Sequence, residues 1–237
     1  ETLEIGCRLE AVGVDYLSAS AGIGLTQFRM SPPSDVPRGR LLVYGRALQQ
    51  RVKIPVIGVG RLDRPGVFRE AVEGGHVGLA AAARAFIADP EYAAKIEQGR
   101  EDQIRPCLAC NYCLTCLHQG SALRCTVNPY VGRDLARPEP LSKPLRVLVV
   151  GGGPAGLTAA TTAALRGAEV RLIEKGATLG GTLNIAMRPP FKEPIGDLAR
   201  YLETQARSAG VSVELQREFN PQAPAGDLPD EAVVATG

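Results

Sequence analysis

Four cysteines near the middle of the chain, Cys107, Cys110, Cys113 and Cys125, have the spacing C-x2-C-x2-C-x11-C. Thiolates two residues apart can reach one metal centre from a tight turn, and a fourth ligand after a longer loop closes the site. Four-thiolate sets of this kind hold either zinc or a 4Fe–4S cluster. A zinc ribbon uses two paired C-x2-C knuckles, whereas here the fourth cysteine stands alone, which favours the cluster. Cys116 lies in the same stretch, so Cys107, Cys110, Cys116 and Cys125 form a rival set. His118 is expected to be a loop residue rather than a ligand. Cys7, far away on a helix, is expected to be a small core residue.

A second chemistry-bearing stretch begins 26 residues after Cys125. The apolar run Val147-Leu148-Val149-Val150 leads into Gly151-Gly152-Gly153-Pro154-Ala155-Gly156, a G-x-G-x-x-G turn in the strand–turn–helix context it requires. Gly151 permits the tight turn, and Gly153 lets backbone approach a pyrophosphate at the helix N-terminus. Gly156 allows close packing of helix on strand. Glu174, with Lys175 next to it, ends the next strand about 20 residues on, where a carboxylate meets a ribose hydroxyl. Gly180-Gly181 come after it. A terminal Glu and a later glycine pair point to FAD, or to its ADP portion, rather than to NAD. The expected nucleotide contacts are Gly151, Gly153, Pro154, Ala155, Gly156, Glu174, Lys175, Gly180 and Gly181.

Such residues need elements to hold them, and hydrophobic periodicity supplies these. Glu1 to Val12 carries Ile5, Leu9 and Val12 at helical spacing, and Val14 to Ser18 reads as a short buried strand. A helix over 39–51, a strand over 54–60, a helix opening near Pro65 and a strand from His76 to Ala82 continue the alternation. Helices alternating with short apolar strands imply a parallel sheet with helical covers. A cysteine-rich loop comes next, then a linker punctuated by Pro138, Pro140 and Pro144. The alternation restarts with strands at 145–150, 169–173 and 211–215, helices at 156–166 and 195–209, and a last strand over 231–237. Both ends are expected to fall inside a domain. Three βα units cannot close a barrel, and an open parallel sheet leaves unpaired backbone at its edges. Further residues, or a partner chain, would cover those edges.

Composition excludes some classes of function. The 237 residues allow one large domain or two to three smaller ones. The 27 basic and 25 acidic side chains leave a net charge of +2, which gives no electrostatic reason to expect nucleic acid or a membrane surface as partner. No apolar run reaches the roughly 20 residues that span a bilayer. The opening Glu1-Thr2-Leu3-Glu4 lacks the basic start of a secretory signal. Five of the six cysteines fall between 107 and 125, a spacing that suits metal ligation in a reducing, cytoplasmic setting better than a disulfide framework.

The chain resembles the iron–sulfur branch of the Old Yellow Enzyme family, the NADH:flavin oxidoreductases of 2,4-dienoyl-CoA reductase and trimethylamine dehydrogenase type. The residues that carry the resemblance are Ile54-Pro55-Val56-Ile57-Gly58-Val59-Gly60-Arg61 and Ala83-Arg84-Ala85-Phe86-Ile87-Ala88-Asp89-Pro90. After them come Ile104-Arg105-Pro106-Cys107-Leu108-Ala109-Cys110-Asn111, Cys125-Thr126-Val127-Asn128-Pro129 and the glycine turn. The resemblance implies an α/β fold in three parts. Residues 1–100 would be strands six to eight of an FMN-binding (β/α)8 TIM barrel, 101–137 the 4Fe–4S loop, and 138–237 the first part of a Rossmann-like FAD-binding domain. It places the FMN phosphate at Gly60-Arg61 and Ala83-Arg84, held by backbone N–H groups and a guanidinium.

The activity implied is electron transfer from NAD(P)H through FAD and the cluster to FMN, which reduces the activated C=C bond of an enoyl-CoA-like small molecule. The alternatives are an amine-type dehydrogenase with ADP in the nucleotide site, or an electron-transfer subunit completed by other chains. A homo-oligomer is left open. In the dienoyl-CoA reductases a histidine near the flavin lies after strand six; here the matching stretch is Gly22-Ile23-Gly24-Leu25-Thr26-Gln27-Phe28-Arg29, with Thr26 in its place. A hydroxyl is a poor acid at neutral pH. The first five barrel strands, which carry the expected catalytic tyrosine, have no counterpart in this sequence, so no catalytic acid is assigned.

Overall fold

A computed structural model describes residues 1–132, 139–220 and 229–236. Pro138, the boundary expected after residue 137 and Gly237 lie outside the described residues, as do the side chains of Gly24, Gln27 and Phe28. The chain divides into two compact units, Glu1–Gly132 and Arg133–Gly237.

The first unit is built on three short parallel strands in the order β1 (Leu17–Ala19), β2 (Val56–Gly58) and β3 (Leu79–Ala80). Leu17 pairs with Val56, and Ile57 with Leu79. Parallel strands need crossovers, and helices supply them. α1 (Thr2–Ala11) precedes β1, α2 (Gln27–Met30) and α3 (Leu42–Gln49) connect it to β2, and α4 (Pro65–Glu73) leads to β3. Pro65 at the first turn of α4 is tolerated because its missing N–H has no partner to lose there. α5 (Ala83–Ala88) and α6 (Tyr92–Glu97) close the unit. At their junction Asp89 precedes Pro90 and is extended, with φ −139° and ψ 103°, so α5 stops at Ala88.

The core of this unit gathers Leu42, Leu62, Ala71, Val77, Ala85 and Tyr92. Tyr92 is only 1 % exposed, and its ring stands edge-on to Phe68 and Phe86 at centroid distances of 5.5 and 5.6 Å. Its hydroxyl donates to the Leu62 carbonyl at 3.1 Å, which removes the cost of burying it. Beyond α6 the structure departs from expectation: the cysteine segment is partly helical. α7 (Tyr112–His118) carries Cys113 and Cys116 on its buried side, and His118 sits exposed in its last turn. Three-residue spacing of two buried cysteines is helical spacing, a signal masked by the ligand-like C-x2-C pattern.

The second unit is a four-stranded parallel sheet. β4 (Arg146–Val150), β5 (Glu169–Glu174), β6 (Ser212–Leu215) and β7 (Glu231–Val234) lie in the spatial order β6-β5-β4-β7. Val149 pairs with Leu172 on one side and Val233 on the other. α8 (Pro154–Leu165) joins β4 to β5, and α9 (Leu183–Ala186) and α10 (Glu193–Ser208) lie between β5 and β6. Val147, Val149, Leu157, Ala160, Val170, Leu172, Ala206 and Val211 form the core on the helical face, while Leu148, Val150 and Ile173 cluster on the other. Among the described residues no helix is long and apolar enough to cross a membrane.

The Tyr92 site yields a graded test of the first core. Tyr92→Phe removes one hydrogen bond and leaves the Leu62 carbonyl unsatisfied, a loss of about 1 kcal/mol. Tyr92→Ala empties the space between two rings and should cost roughly 3–5 kcal/mol. Denaturant unfolding of both variants, monitored by tyrosine-environment signals, checks the order and the size.

Candidate functional site

The cysteine segment is anchored by Asp89. This carboxylate is 3 % exposed and accepts from Lys95 Nζ at 2.7 Å, from the Glu91 N–H at 3.0 Å and from the Arg105 N–H at 2.8 Å. Lys95 also donates to the Gln103 carbonyl at 3.0 Å. The run Arg105-Pro106-Cys107 therefore begins from a fixed point. On the far side, buried Asn128 donates to the Ile87 carbonyl at 2.9 Å and accepts from the Tyr130 N–H, which pins the segment after Cys125 to α5.

Between these anchors Cys107, Cys110, Cys113 and Cys125 line one cavity together with Arg84, Ile87, Leu108, Asn111, Thr126 and Val127. Its volume is about 20 Å³. Cys116 is buried but is not among the lining residues. All six cysteines are free thiols. Among the described residues, no three His, Cys, Asp or Glu side chains gather closely enough to hold one metal ion.

The local backbone explains the arrangement. Ala109 and Asn111 both take positive φ, 51° and 59°, and bend the chain sharply on either side of Cys110. The Ala109 N–H donates to Cys107 Sγ at 3.4 Å, and Cys110 Sγ lies 3.2 Å from Thr126 Oγ1. Burial pushes the Cys107 thiol up to about 11, against the opposite pull of the Ala109 N–H and the Arg84 charge. Burial raises Cys113 as well. Cys7 is not part of this site; its Sγ contacts the Arg51 carbonyl at 3.7 Å beside Leu17 and Leu48.

The residues expected at a phosphate diverge in role. Gly60, with φ 121°, packs so closely on Leu41 that a Cβ would lie 2.7 Å from its Cβ, so only glycine fits. Arg61 turns its guanidinium inward. It donates to the Ser34 and Val36 carbonyls, the first at 2.7 Å, and faces Asp63 at 3.7 Å. Arg38 donates to the other oxygen of Asp63 at 2.9 Å. Burial lowers the pKa of Arg61 and Asp63 opposes that shift. The guanidinium of Arg61 is thus committed to the 34–36 loop, which leaves its backbone as the group available to a ligand. Ala83 opens α5, and the Arg84 guanidinium reaches the cysteine cavity and donates to Asn111 Oδ1. Thr26 uses its hydroxyl within its own turn, accepting from the Ile23 N–H at 2.9 Å and donating to the Ile23 carbonyl.

In the second unit the glycine turn lies at the C-terminal end of β4, between β5 and β7. That is the switch point of a sheet wound outward in both directions, where open α/β sheets bind ligands. Gly151, with φ 107°, sits against the end of β7; a Cβ there would lie 2.5 Å from the Ala235 carbonyl oxygen. A Cβ on Gly156 would lie 1.9 Å from the Gly151 oxygen, so α8 can pack on β4 only with glycine there. A Cβ on Gly153 would meet nothing within 4 Å, and the residue caps α8 just ahead of Pro154 and Ala155. The Gly180 N–H donates to the Gly152 carbonyl at 2.8 Å, and Gly181 stands over Gly153. Glu174 ties the parts together: its carboxylate accepts from the Gly152 and Gly176 N–H groups, both at 2.6 Å. Lys175 beside it is exposed. The structure brings the glycines and Glu174 into one place, as the spacing predicts.

Residues that sequence reasoning left without a role are Asp89, Asn111 and Asn128, which position the cysteines without being ligands. Their signal was adjacency to the Asp-Pro, Cys-Asn and Asn-Pro pairs.

Comparison with known proteins agrees with both halves. Residues 33–103 match the model of the NADH:flavin oxidoreductase / NADH oxidase family, and residues 146–232 that of the FAD dependent oxidoreductases. The chain is 38 % identical over 243 residues to an NADH oxidase of Thermoanaerobacter brockii, matching along all of its own length and 37 % of the relative's. Among solved structures, a 2-naphthoyl-CoA reductase in complex with 2-naphthoyl-CoA superposes with a TM-score of 0.93 at 29 % identity, over 99 % of this chain and 36 % of that one. A histamine dehydrogenase from Rhizobium sp. 4-9 superposes with a TM-score of 0.87 at 30 % identity, over 100 % of this chain and 35 % of that one. The chain thus spans a little over a third of the proteins it matches. Its three-stranded unit is the α/β architecture of the last part of a flavoenzyme TIM barrel, and its four-stranded unit that of a FAD-binding domain. The chain belongs to the Old Yellow Enzyme type of NADH:flavin oxidoreductases, in the group that joins such a barrel to a FAD-binding domain.

Proposed function

We propose that this chain is the electron-bridging part of an NAD(P)H-dependent flavin oxidoreductase that reduces an activated C=C bond of an enoyl-CoA-like small molecule. Residues 1–100 contribute the end of an FMN barrel, 101–137 a 4Fe–4S loop and 138–237 the start of a FAD domain, and a cytoplasmic location suits such a centre. The observation that carries the reading is the cavity ringed by Cys107, Cys110, Cys113 and Cys125. Four thiols that line one cavity suit a cube in which each of four irons takes one thiolate. Cys113 is favoured over Cys116 because it faces that cavity.

When bound, the groups supply two-electron hydride chemistry at each flavin and one-electron transfer between them. The chain's own residues do the holding. Cys107, Cys110, Cys113 and Cys125 ligate, and Asp89, Asn111 and Asn128 fix the segment that carries them. Backbone at Gly60-Arg61 and Ala83-Arg84, with the Arg84 guanidinium, binds the FMN phosphate. Gly153, Pro154 and Ala155 present the N-terminus of α8 to the pyrophosphate of FAD. Glu174, Lys175, Gly180 and Gly181 line the adenosine side. Reduction of a thioester-activated alkene is favoured by the likeness to a 2-naphthoyl-CoA reductase at a TM-score of 0.93. The second reading, an amine-type dehydrogenase with ADP in the nucleotide site, draws on the likeness to histamine dehydrogenase. Anaerobic bleaching of the flavin by NADH or NADPH supports the first; bleaching by an amine alone supports the second.

Anaerobically purified protein should be brown and contain iron, acid-labile sulfide and flavin; a colourless product holding zinc refutes the assignment. Cys113→Ser should lose the iron and its visible absorbance, while Cys116→Ser should keep them. For the nucleotide site, Gly153→Val adds atoms only to open space. It should leave thermal unfolding within about 1 kcal/mol of wild type, as for substitutions that disturb no contact. Adenine dinucleotide should nonetheless be absent from the purified variant, as chromatography of the released cofactor would measure.

A further inference from the structure

The cysteine cavity has one charged side chain among the non-ligand residues that line it, Arg84. Its other neighbours there are apolar or neutral: Ile87, Leu108 and Val127, with Asn111 and Thr126. Arg84 is half-buried, and its guanidinium is held in place by donation to Asn111 Oδ1. Asn111 is fixed in turn. It sits between Cys110 and Cys113 with φ 59°, and its Nδ2 donates to the Ser31 carbonyl at 2.9 Å. The result is a positive charge held in a fixed direction among the cysteine sulfurs, where its field reaches Cys107 and Cys113.

We propose that Arg84 sets the redox potential of the centre held by these cysteines, with Asn111 as the residue that positions it. The inference rests on the iron–sulfur reading above and assigns Arg84 a role beyond binding a flavin phosphate. A cluster that takes up one electron gains one negative charge, and no bond forms or breaks. A fixed cation beside the sulfurs stabilises that reduced form and raises the potential, since net charge and hydrogen bonding at the sulfurs set where a cluster titrates. An arginine suits the task because its five N–H donors stay charged at any working pH, so one edge can bind Asn111 while the charge faces the cavity.

The midpoint potential of the cluster, read by EPR-monitored redox titration of anaerobically purified protein, tests this, with iron and FMN contents measured alongside. Arg84→Gln should lower the ratio of reduced to oxidised cluster roughly tenfold at a given potential, a downward shift of about 59 mV for one electron. Arg84→Lys should retain most of the wild-type value. Asn111→Gly suits the left-handed backbone and frees the guanidinium. It should shift the potential in the same direction by less, with FMN content unchanged. An Arg84→Gln protein that loses FMN but keeps the wild-type potential would mean that the arginine serves the phosphate alone, and the inference fails. Should that variant not fold, an unchanged potential in Asn111→Gly overturns the inference equally. Wild-type protein free of iron would remove both this inference and the reading on which it rests.

Discussion

The buried carboxylate of Asp89 is the interaction on which the candidate metal site depends. A charge this deep is tolerable only when fully paired, and Asp89 meets that condition with the Lys95 ammonium and two backbone N–H groups. One of those amides belongs to Arg105, two residues ahead of Cys107, so the electrostatic demand of the carboxylate fixes where the cysteine segment starts. Asn128 does the same at the other end, through Ile87. The segment therefore needs no secondary structure of its own beyond α7. Its shape is imposed by two polar anchors on the end of α5, and the thiols hang between them.

The second unit solves its problem by exclusion rather than attraction. Gly151 and Gly156 are defined by what cannot be there, since a single methyl group at either would collide with a carbonyl oxygen. Gly153 is defined by empty space. Two closures and one opening thus define which positions of the turn must stay without a side chain and which has room beside it. Glu174 adds a clasp by accepting from Gly152 and Gly176, so the end of β5 and the turn after β4 hold each other. The direction of the Glu174 carboxylate is thus set by the protein's own backbone.

Legibility in the sequence differed between these two solutions for a physical reason. The glycine turn is largely local: strand, turn and helix lie within 20 residues of each other, and Gly156 is forced by the Gly151 oxygen five positions away, although Gly151 is forced by distant Ala235. Residue types alone therefore located it. The βα alternation was legible for the same reason, with element ends shifted by a few residues; the strand expected over His76 to Ala82 shrinks to Leu79–Ala80. The cysteine site is non-local. Asn111 reaches Ser31 across 80 residues and Asn128 reaches Ile87 across 41, and no periodicity reports such pairs. Arg61 makes a second non-local pairing. A glycine–arginine pair at a strand end looks like a phosphate site, yet its guanidinium is absorbed by the Ser34 and Val36 carbonyls of a loop that carries no recognisable motif. The helical stretch from Tyr112 to His118 was hidden because C-x2-C spacing satisfies both a ligand turn and a helix face.

Burial of the thiols also bears on how such a site is filled. With the Cys107 thiol pushed up to about 11 by burial, a metal bound there would have to displace its proton. Desolvation would work against binding if the cavity had to form at the same time, because its walls would then have to be dried and ordered at the expense of the metal–sulfur bonds. Asp89, Asn128 and the Asn111 turn remove that cost, since all three are satisfied by the protein alone. The segment that carries the thiols is thus held in place by hydrogen bonds of its own, at Asp89, Asn128 and Asn111.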